Sequence, residues 1–233
     1  MPAPGAGKFL QASPVFAGVP PRELATLAAV AQERTYRARE YVFTEGEPAA
    51  WYCVVRTGHV KILRTSREGK DVVLELLGPG EPFGGVAVIE RRPYPASAQA
   101  TEPSTVLKIP QEPIVALAER YPSIIREMAL MIGRRLRAAH DSMTSLAVDP
   151  VEARLAATLL RLAEREGARE GRAIRLPFHL TRQSLADMTG TTVETAIRIV
   201  SRWLRDGLVR EEGTHLVLRD VEALRGIAEG ESA

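Results

Sequence analysis

The chain has almost no cysteine: Cys53 is the only one in 233 residues. That excludes an intrachain disulfide and any centre held by several thiolates, an iron–sulfur cluster included. Cys53 lies in the apolar run Trp51-Tyr52-Cys53-Val54-Val55, which reads as a buried, inert thiol rather than a redox sensor. The 4 histidines are dispersed and show no metal-ligand spacing, so no metal is expected. No segment approaches ~18 continuous apolar residues, so no membrane span is expected. The opening Met1-Pro2-Ala3-Pro4-Gly5-Ala6-Gly7-Lys8 lacks an apolar signal core and reads as a loose tail, which places the protein in the cytoplasm. A phosphate-binding glycine loop and a nucleophile elbow are also missing, so an enzyme is not expected. The formal net charge is only +2, from 31 basic and 29 acidic residues. Bulk charge therefore announces no nucleic-acid partner; such a partner must rest on a local site.

One local site stands out. The stretch from Leu180 to Arg198 reads as a helix-turn-helix. Thr181 caps a first helix whose small and apolar face is Leu185, Ala186 and Met188. Gly190 falls where the chain must turn with positive φ. Thr192 caps a second helix, apolar at Ala196, Ile199, Val200 and Trp203. Its other face carries Glu194, Arg198 and Arg202. Glu194 and Arg198 are four apart and stand one turn above the other. In a major groove, such a carboxylate can accept from cytosine N4 and such a guanidinium can reach guanine O6 and N7. The bland alternative is a solvated helix ion pair. Two short strands follow, around the turn Glu211-Glu212-Gly213-Thr214, and a helix-turn-helix plus hairpin is a winged helix.

The first half is β-rich, with short apolar or alternating runs at residues 36–43, 51–57, 59–64, 71–77 and 97–109 separated by glycine-containing turns. Many short strands at such spacing indicate a sandwich or jelly roll. Helices are expected before it, around residues 9–11 and 21–31. A long helix over residues 122–148 then shows apolar positions at Tyr121, Ile125, Met128, Ile132, Leu136, Ala139, Met143 and Leu146. These steps of 3 and 4 make a coiled-coil-like seam. The helix can pack on the chain's own β-roll, pair with a second copy, or do both, with one face docked on the roll and the seam paired with a twin helix. Asp149-Pro150 ends this helix and forms a hinge. Residues 151–166 read as an amphipathic helix, and 168–174 as a charged loop.

The block from Leu180 to Val209 resembles the DNA-binding domain of the CRP/FNR superfamily of bacterial transcription regulators, and Thr192-Val193-Glu194-Thr195 with Arg198 is closer to its FNR branch. The turn glycines at 46, 58, 69, 80 and 84 fall where that superfamily's cyclic-nucleotide-binding β-roll places its turns. The implied fold is α+β: a β-roll with N-terminal helices over 1–120, a long dimerisation helix over 121–149 and a winged helix-turn-helix over 150–233. The resemblance implies base reading by Val193, Glu194, Ile197 and Arg198, with Ile197 standing where a serine is usual. It implies phosphate contacts from Thr181, Arg182, Gln183, Thr192, Arg202 and Arg205. The expected partners are double-stranded DNA bearing a palindrome, RNA polymerase and a second copy of the chain, with an activator's role.

Residues 83–98 resemble the phosphate-binding cassette, where the family uses a Glu for the ribose and an Arg for the cyclic phosphate. Here those positions carry Gly85 and Pro95, and neither can replace the lost group. Cyclic AMP is therefore not the expected effector. The candidate pocket comprises Gly84, Gly85, Val86, Tyr94, Ala96, Ser97, Arg135 and Ala139. It is closed, or holds an unknown small anion or apolar molecule through Arg135 or Arg92, or holds haem. No cofactor is expected otherwise; haem would need His59 or His140 as axial ligand. The rival from another class is a ligand-sensing regulatory subunit that does not bind DNA.

Overall fold

The computed structural model describes residues 5–66, 69 and 71–230. They form two compact units: residues up to Arg64 with Leu74–Ala138, and Thr65–Val73 with the residues from Ala139 onward. The division falls inside the long helix, which contributes to both.

The first unit opens with α1 (Ala6–Gln11), a 3-10 turn (Pro14–Phe16) and α2 (Pro21–Val30). Its strands are β1 (Gln32–Tyr36), β2 (Tyr41–Phe43), β3 (Trp51–Thr57), β4 (Val60–Thr65), β5 (Asp71–Leu77) and β6 (Pro82–Phe83). After α3 (Gly85–Glu90) come β7 (Ser97–Ala100), β8 (Ser104–Pro110) and α4 (Gln111–Arg120). They make two four-stranded sheets, ordered β1-β8-β3-β6 and β2-β7-β4-β5. Strand β3 is buried continuously from Tyr52 to Val55, which its unbroken apolar run dictates: both of its faces meet core. Tyr36, Val54, Leu107 and Ile109 are fully enclosed in that core.

The strand run expected over 36–43 is two strands, broken where Arg39 takes a φ of 69° and Glu40 accepts the Arg37 N–H at 2.9 Å. The run over 97–109 is likewise split, between β7 and β8. Gly58, between β3 and β4, has φ 72°, and a Cβ there would sit 2.7 Å from the Pro103 carbonyl oxygen. No other residue type fits both conditions.

The long helix α5 spans Ser123–Val148. Met128 departs from the expected seam: it is 4% exposed and joins Ile124 in the core of the β-roll. Ala129 is exposed in its place. The outward stripe is therefore Ile125, Ala129, Ile132, Leu136, Ala139, Met143 and Leu146, all exposed. The steps along it alternate 4 and 3 without interruption, a stricter heptad seam than the expected one. Tyr121 ends α4 and lies outside the helix.

In the second unit α6 (Val151–Glu166) starts directly after Pro150. The segment expected as a charged loop is instead a hairpin, β9 (Ala168–Glu170) and β10 (Ala173–His179), turning at Gly171 with φ 65°. Its charged side chains reflect an edge strand, where charge keeps the open edge from pairing. Then follow α7 (Arg182–Thr189), α8 (Val193–Arg205), β11 (Val209–Glu212), β12 (His215–Leu218) and α9 (Val221–Ala228). Glu211 and Glu212, expected in the turn, belong to β11. The wing is also wider than expected, a sheet ordered β11-β12-β10-β9.

Gly58→Ala is expected to destabilise the β-roll by about 2 kcal/mol or more, from positive-φ strain plus backbone overlap. Thermal unfolding of the variant should show the lowered midpoint; an unchanged midpoint would contradict the tight turn.

Candidate nucleic-acid interface

Helix α7 begins where Thr181 Oγ1 accepts the Ser184 N–H at 3.0 Å and ends where Gly190 turns left-handed, φ 61° and ψ 42°. The turn is also tight in space, since a Cβ on Gly190 would lie 2.7 Å from Leu146 Cδ2. Helix α8 restarts at Thr192, whose Oγ1 accepts the Thr195 N–H at 3.3 Å. Ala196, Ile199, Val200 and Trp203 are buried, so the rotation of α8 about its axis is set by one strongly apolar face.

Trp203 fixes that face further. Its Nε1–H donates to Glu152 Oε1 of α6 at 2.9 Å, while the other oxygen of Glu152 is ion-paired with Arg202. One carboxylate thus anchors two successive residues of α8. This ion pair raises the Arg202 pKa above the ordinary arginine value, first through the hydrogen bond and then through charge. Nothing in the local sequence pointed to Glu152, because it meets its partners across about fifty residues of chain.

The opposite face of α8 is exposed at Glu194, Ile197 and Arg198. Ile197 is 47% exposed, unusual for a large apolar side chain in the middle of an amphipathic helix. Val193 is half-buried beside them. The ion pair that the Glu194–Arg198 spacing permits is not formed among the described residues, so both side chains are uncommitted. The expected phosphate-contact residues differ in their commitments. Arg182 is ion-paired with Glu211 of the wing, and Arg202 with Glu152. Gln183 donates to Asp187 Oδ1 at 2.7 Å. Thr181 and Thr192 are engaged as caps. Arg205 is exposed.

The expected effector residues make a different arrangement. Gly84 and Gly85 open α3. A Cβ on Gly85 would lie 2.8 Å from the Tyr52 ring and 2.9 Å from Met128 Cε, so the space a longer side chain would need is filled. Tyr94 is buried, and its ring stacks on Phe43 with centroids 3.6 Å apart. Its hydroxyl donates to the Trp51 carbonyl at 2.7 Å and accepts the Trp51 N–H at 3.1 Å. Pro95, placed at the arginine position on resemblance, is exposed; Tyr94 beside it is the residue that turns inward. Ala96 and Ser97 are buried, Ser97 Oγ accepting the Glu45 N–H at 2.9 Å. Val86 and Ala139 are exposed. Arg135 pairs with Glu75 at 2.8 Å and donates to the Pro82 carbonyl at 2.9 Å, so its charge is spent within the protein. The Tyr52 hydroxyl is buried without a hydrogen-bond partner among the described residues, and burial pushes its pKa up.

Two of the remaining candidates are closed off as well. His59 is 4% exposed and its Nδ1 meets Glu102 Oε1 at 2.6 Å. Cys53 is fully enclosed, its thiol pushed up to about 12 by burial, against a smaller lowering by Lys108. Such a thiol is not nucleophilic at neutral pH. His140 is exposed on α5.

Comparison with known proteins matches this geometry at both ends. Residues 33–121 match the cyclic nucleotide-binding domain, and residues 153–227 the Crp-like helix-turn-helix domain. The "Cyclic AMP receptor protein" of Thermus thermophilus is 30% identical, covering 95% of this chain and 99% of its own. The chain belongs to the CRP/FNR superfamily. The "CRP-like cAMP-activated global transcriptional regulator" of Mycobacterium tuberculosis is 28% identical over 93% of this chain and 97% of its own. The solved structure of FixK2 from Bradyrhizobium japonicum superposes with a TM-score of 0.74 at 27% identity, over 88% of this chain and 98% of that one. This CRP/FNR chain is therefore a transcription regulator with a DNA-binding helix-turn-helix, and its relatives are regulators rather than enzymes. Among the described residues no helix is long and apolar enough to cross a membrane.

Glu152→Ala is expected to destabilise the DNA-binding unit by about 1–3 kcal/mol, because it orphans the buried Trp203 N–H and frees Arg202. Glu152→Gln, which can still accept from Trp203, should recover part of that loss in urea denaturation. Equal stability of Ala and Gln variants would remove the anchoring role.

Proposed function

We propose that this regulator binds a palindromic duplex site as a homodimer and acts chiefly as an activator that recruits RNA polymerase, without requiring cyclic AMP. The observation that carries the reading is the exposed, uncommitted face of α8, with Glu194, Ile197 and Arg198 side by side and no internal partner to be broken on binding. Glu194 and Arg198 read a C·G pair and its neighbour; Val193 and Ile197 meet thymine methyls. Arg205 serves a backbone phosphate, joined by Arg182 and Arg202 once their ion pairs rearrange, and by the amide and hydroxyls of Gln183, Thr181 and Thr192. One such helix reads only a few base pairs, so a second, one helical turn of DNA away, is needed for specificity. The alternating 4-3 stripe on α5 supports pairing with a second copy, since a stripe of exposed Ile, Leu and Met on a single chain is costly in water.

Independence from cyclic AMP is supported by the filled cassette. Two relatives carry names that denote reception of or activation by cyclic AMP; in this chain Gly85 supplies no carboxylate, Tyr94 stacks where the anion would need a cation, and Arg135 is paired with Glu75. A cyclic phosphate placed there would be desolvated without a counter-charge. A haem reading draws no support from His59, which is buried against Glu102, leaving His140 as the remaining axial candidate.

The experiment is selection of the effector-free protein against random duplex DNA. A palindrome related to FNR-type sites is expected, and recovery of no preferred sequence would refute binding without an effector. Glu194→Ala and Arg198→Ala should each cost about 1–3 kcal/mol of specific binding and little nonspecific affinity; retained sequence preference in both would disprove the assigned register. Leu136→Glu should turn a dimer into a monomer in sedimentation. Titration calorimetry with cyclic AMP should give no binding heat.

A further inference from the structure

The DNA-binding unit contains a second feature that the DNA reading does not use. A cleft of about 710 Å³ lies among β9, the β9–β10 turn, the β12–α9 junction and the end of α8. Four arginines line it: Arg169 on β9, Arg172 in the turn, Arg219 before α9 and Arg225 within α9. Two acids share the lining, and both are engaged. Asp220 caps α9 by accepting the Ala223 N–H at 2.9 Å, and Glu222 pairs with Arg225 at 3.0 Å. Arg169, Arg172 and Arg219 make no ion pair or side-chain hydrogen bond among the described residues. Three guanidinium groups, two from the β9–β10 hairpin and one from the β12–α9 junction, thus line one concavity with no ion pair of their own among the described residues.

We propose that this cleft is a binding site for a small phosphorylated molecule bearing at least two phosphates. Arginine forks match phosphate oxygens in pairs, and three of them balance a pyrophosphate group. The volume is in the range of small-ligand sites. The apolar part of the lining, Ala173, Ile174 and Val221, contains no aromatic ring, so recognition is of charge rather than of a stacked base. The duplex is not the favoured occupant. Gly207, at the cleft, lies nine residues past Arg198, the last base-reading residue, about 14 Å along the helix axis at ~1.5 Å per residue, so the cleft does not meet base edges, and the nearest assigned backbone-phosphate contact is Arg205. A molecule held here ties the β9–β10 turn to α9 and to the end of the recognition helix, which makes the cleft a place where a metabolite can act on that helix.

The test is titration calorimetry of the full chain, without DNA, using inorganic pyrophosphate with sulfate as control anion at constant ionic strength. Pyrophosphate is expected to bind once per chain and at least about tenfold more tightly than sulfate. Arg172→Ala and Arg219→Ala should each weaken it about tenfold. Arg37→Ala, an exposed arginine of the β-roll, should leave it unchanged, and circular dichroism checks that all variants fold. Equal affinity for the two anions, or wild-type pyrophosphate binding by both cleft variants, overturns the proposal. So does a loss of nonspecific duplex affinity in those variants with pyrophosphate binding intact, which would assign the cleft to the DNA backbone. Because no DNA is present in the titration, the outcome is separate from that of the site selection.

Discussion

The DNA-binding unit depends on how α8 is held, and α8 is held by Trp203. A recognition helix must be rigid along one face and bare along the other. The indole supplies the first condition by filling the space beneath the helix, and its one polar atom finds Glu152 on α6. Because the same carboxylate also takes Arg202, rotation of α8 would break a half-buried hydrogen bond and an ion pair together. The bare face then presents Glu194, Ile197 and Arg198 with no reorganisation to undo. The wing is tied to the same frame by Arg182 and Glu211, so helix-turn-helix and hairpin behave as one surface.

The β-roll is governed by aromatic packing. Phe43, Phe83 and Tyr94 cluster beside the start of α3, and Tyr94 satisfies its hydroxyl on the backbone of Trp51. Moving this ring out would break both hydrogen bonds to Trp51, leaving the backbone groups unpaired, and would lose the stack on Phe43, so the ring stays. Gly85 is part of the same solution: lacking a side chain, it lets Tyr52 and Met128 close in. The absence of a side chain at Gly85 and the inward turn of Met128, away from the α5 seam, thus belong to one packing arrangement. A small-molecule signal, in the proposed reading, reaches the chain elsewhere, at the arginine cleft behind the recognition helix.

Much of this was legible beforehand, and for identifiable reasons. Thr181, Gly190 and Thr192 mark helix ends by local backbone chemistry, and the structure places each as cap or turn. The burial of Ala196, Ile199, Val200 and Trp203 follows from period 3.6. Local rules failed where neighbours are remote. The β9–β10 hairpin was hidden because an edge strand can be as polar as a loop. Met128 and Ala129 differ by one position on a helix whose two apolar stripes adjoin, and only the β-roll selects between them. Glu152 carried no signal, since its partners lie about fifty residues away.

By itself the sequence determined the α+β composition, the order of β-roll, long helix and winged helix-turn-helix, and the residues on the open face of α8. These follow from periodicity, caps and turn residues, which act over a few positions. Only the tertiary structure decided that Tyr94 rather than Pro95 turns inward, that Arg135 and Arg182 are already paired, and that Arg169, Arg172 and Arg219 converge on one cleft. Such facts depend on which distant segments share a space, and on whether an opposite charge from a remote segment then lies within pairing distance, which decides which charges are spent and which remain free.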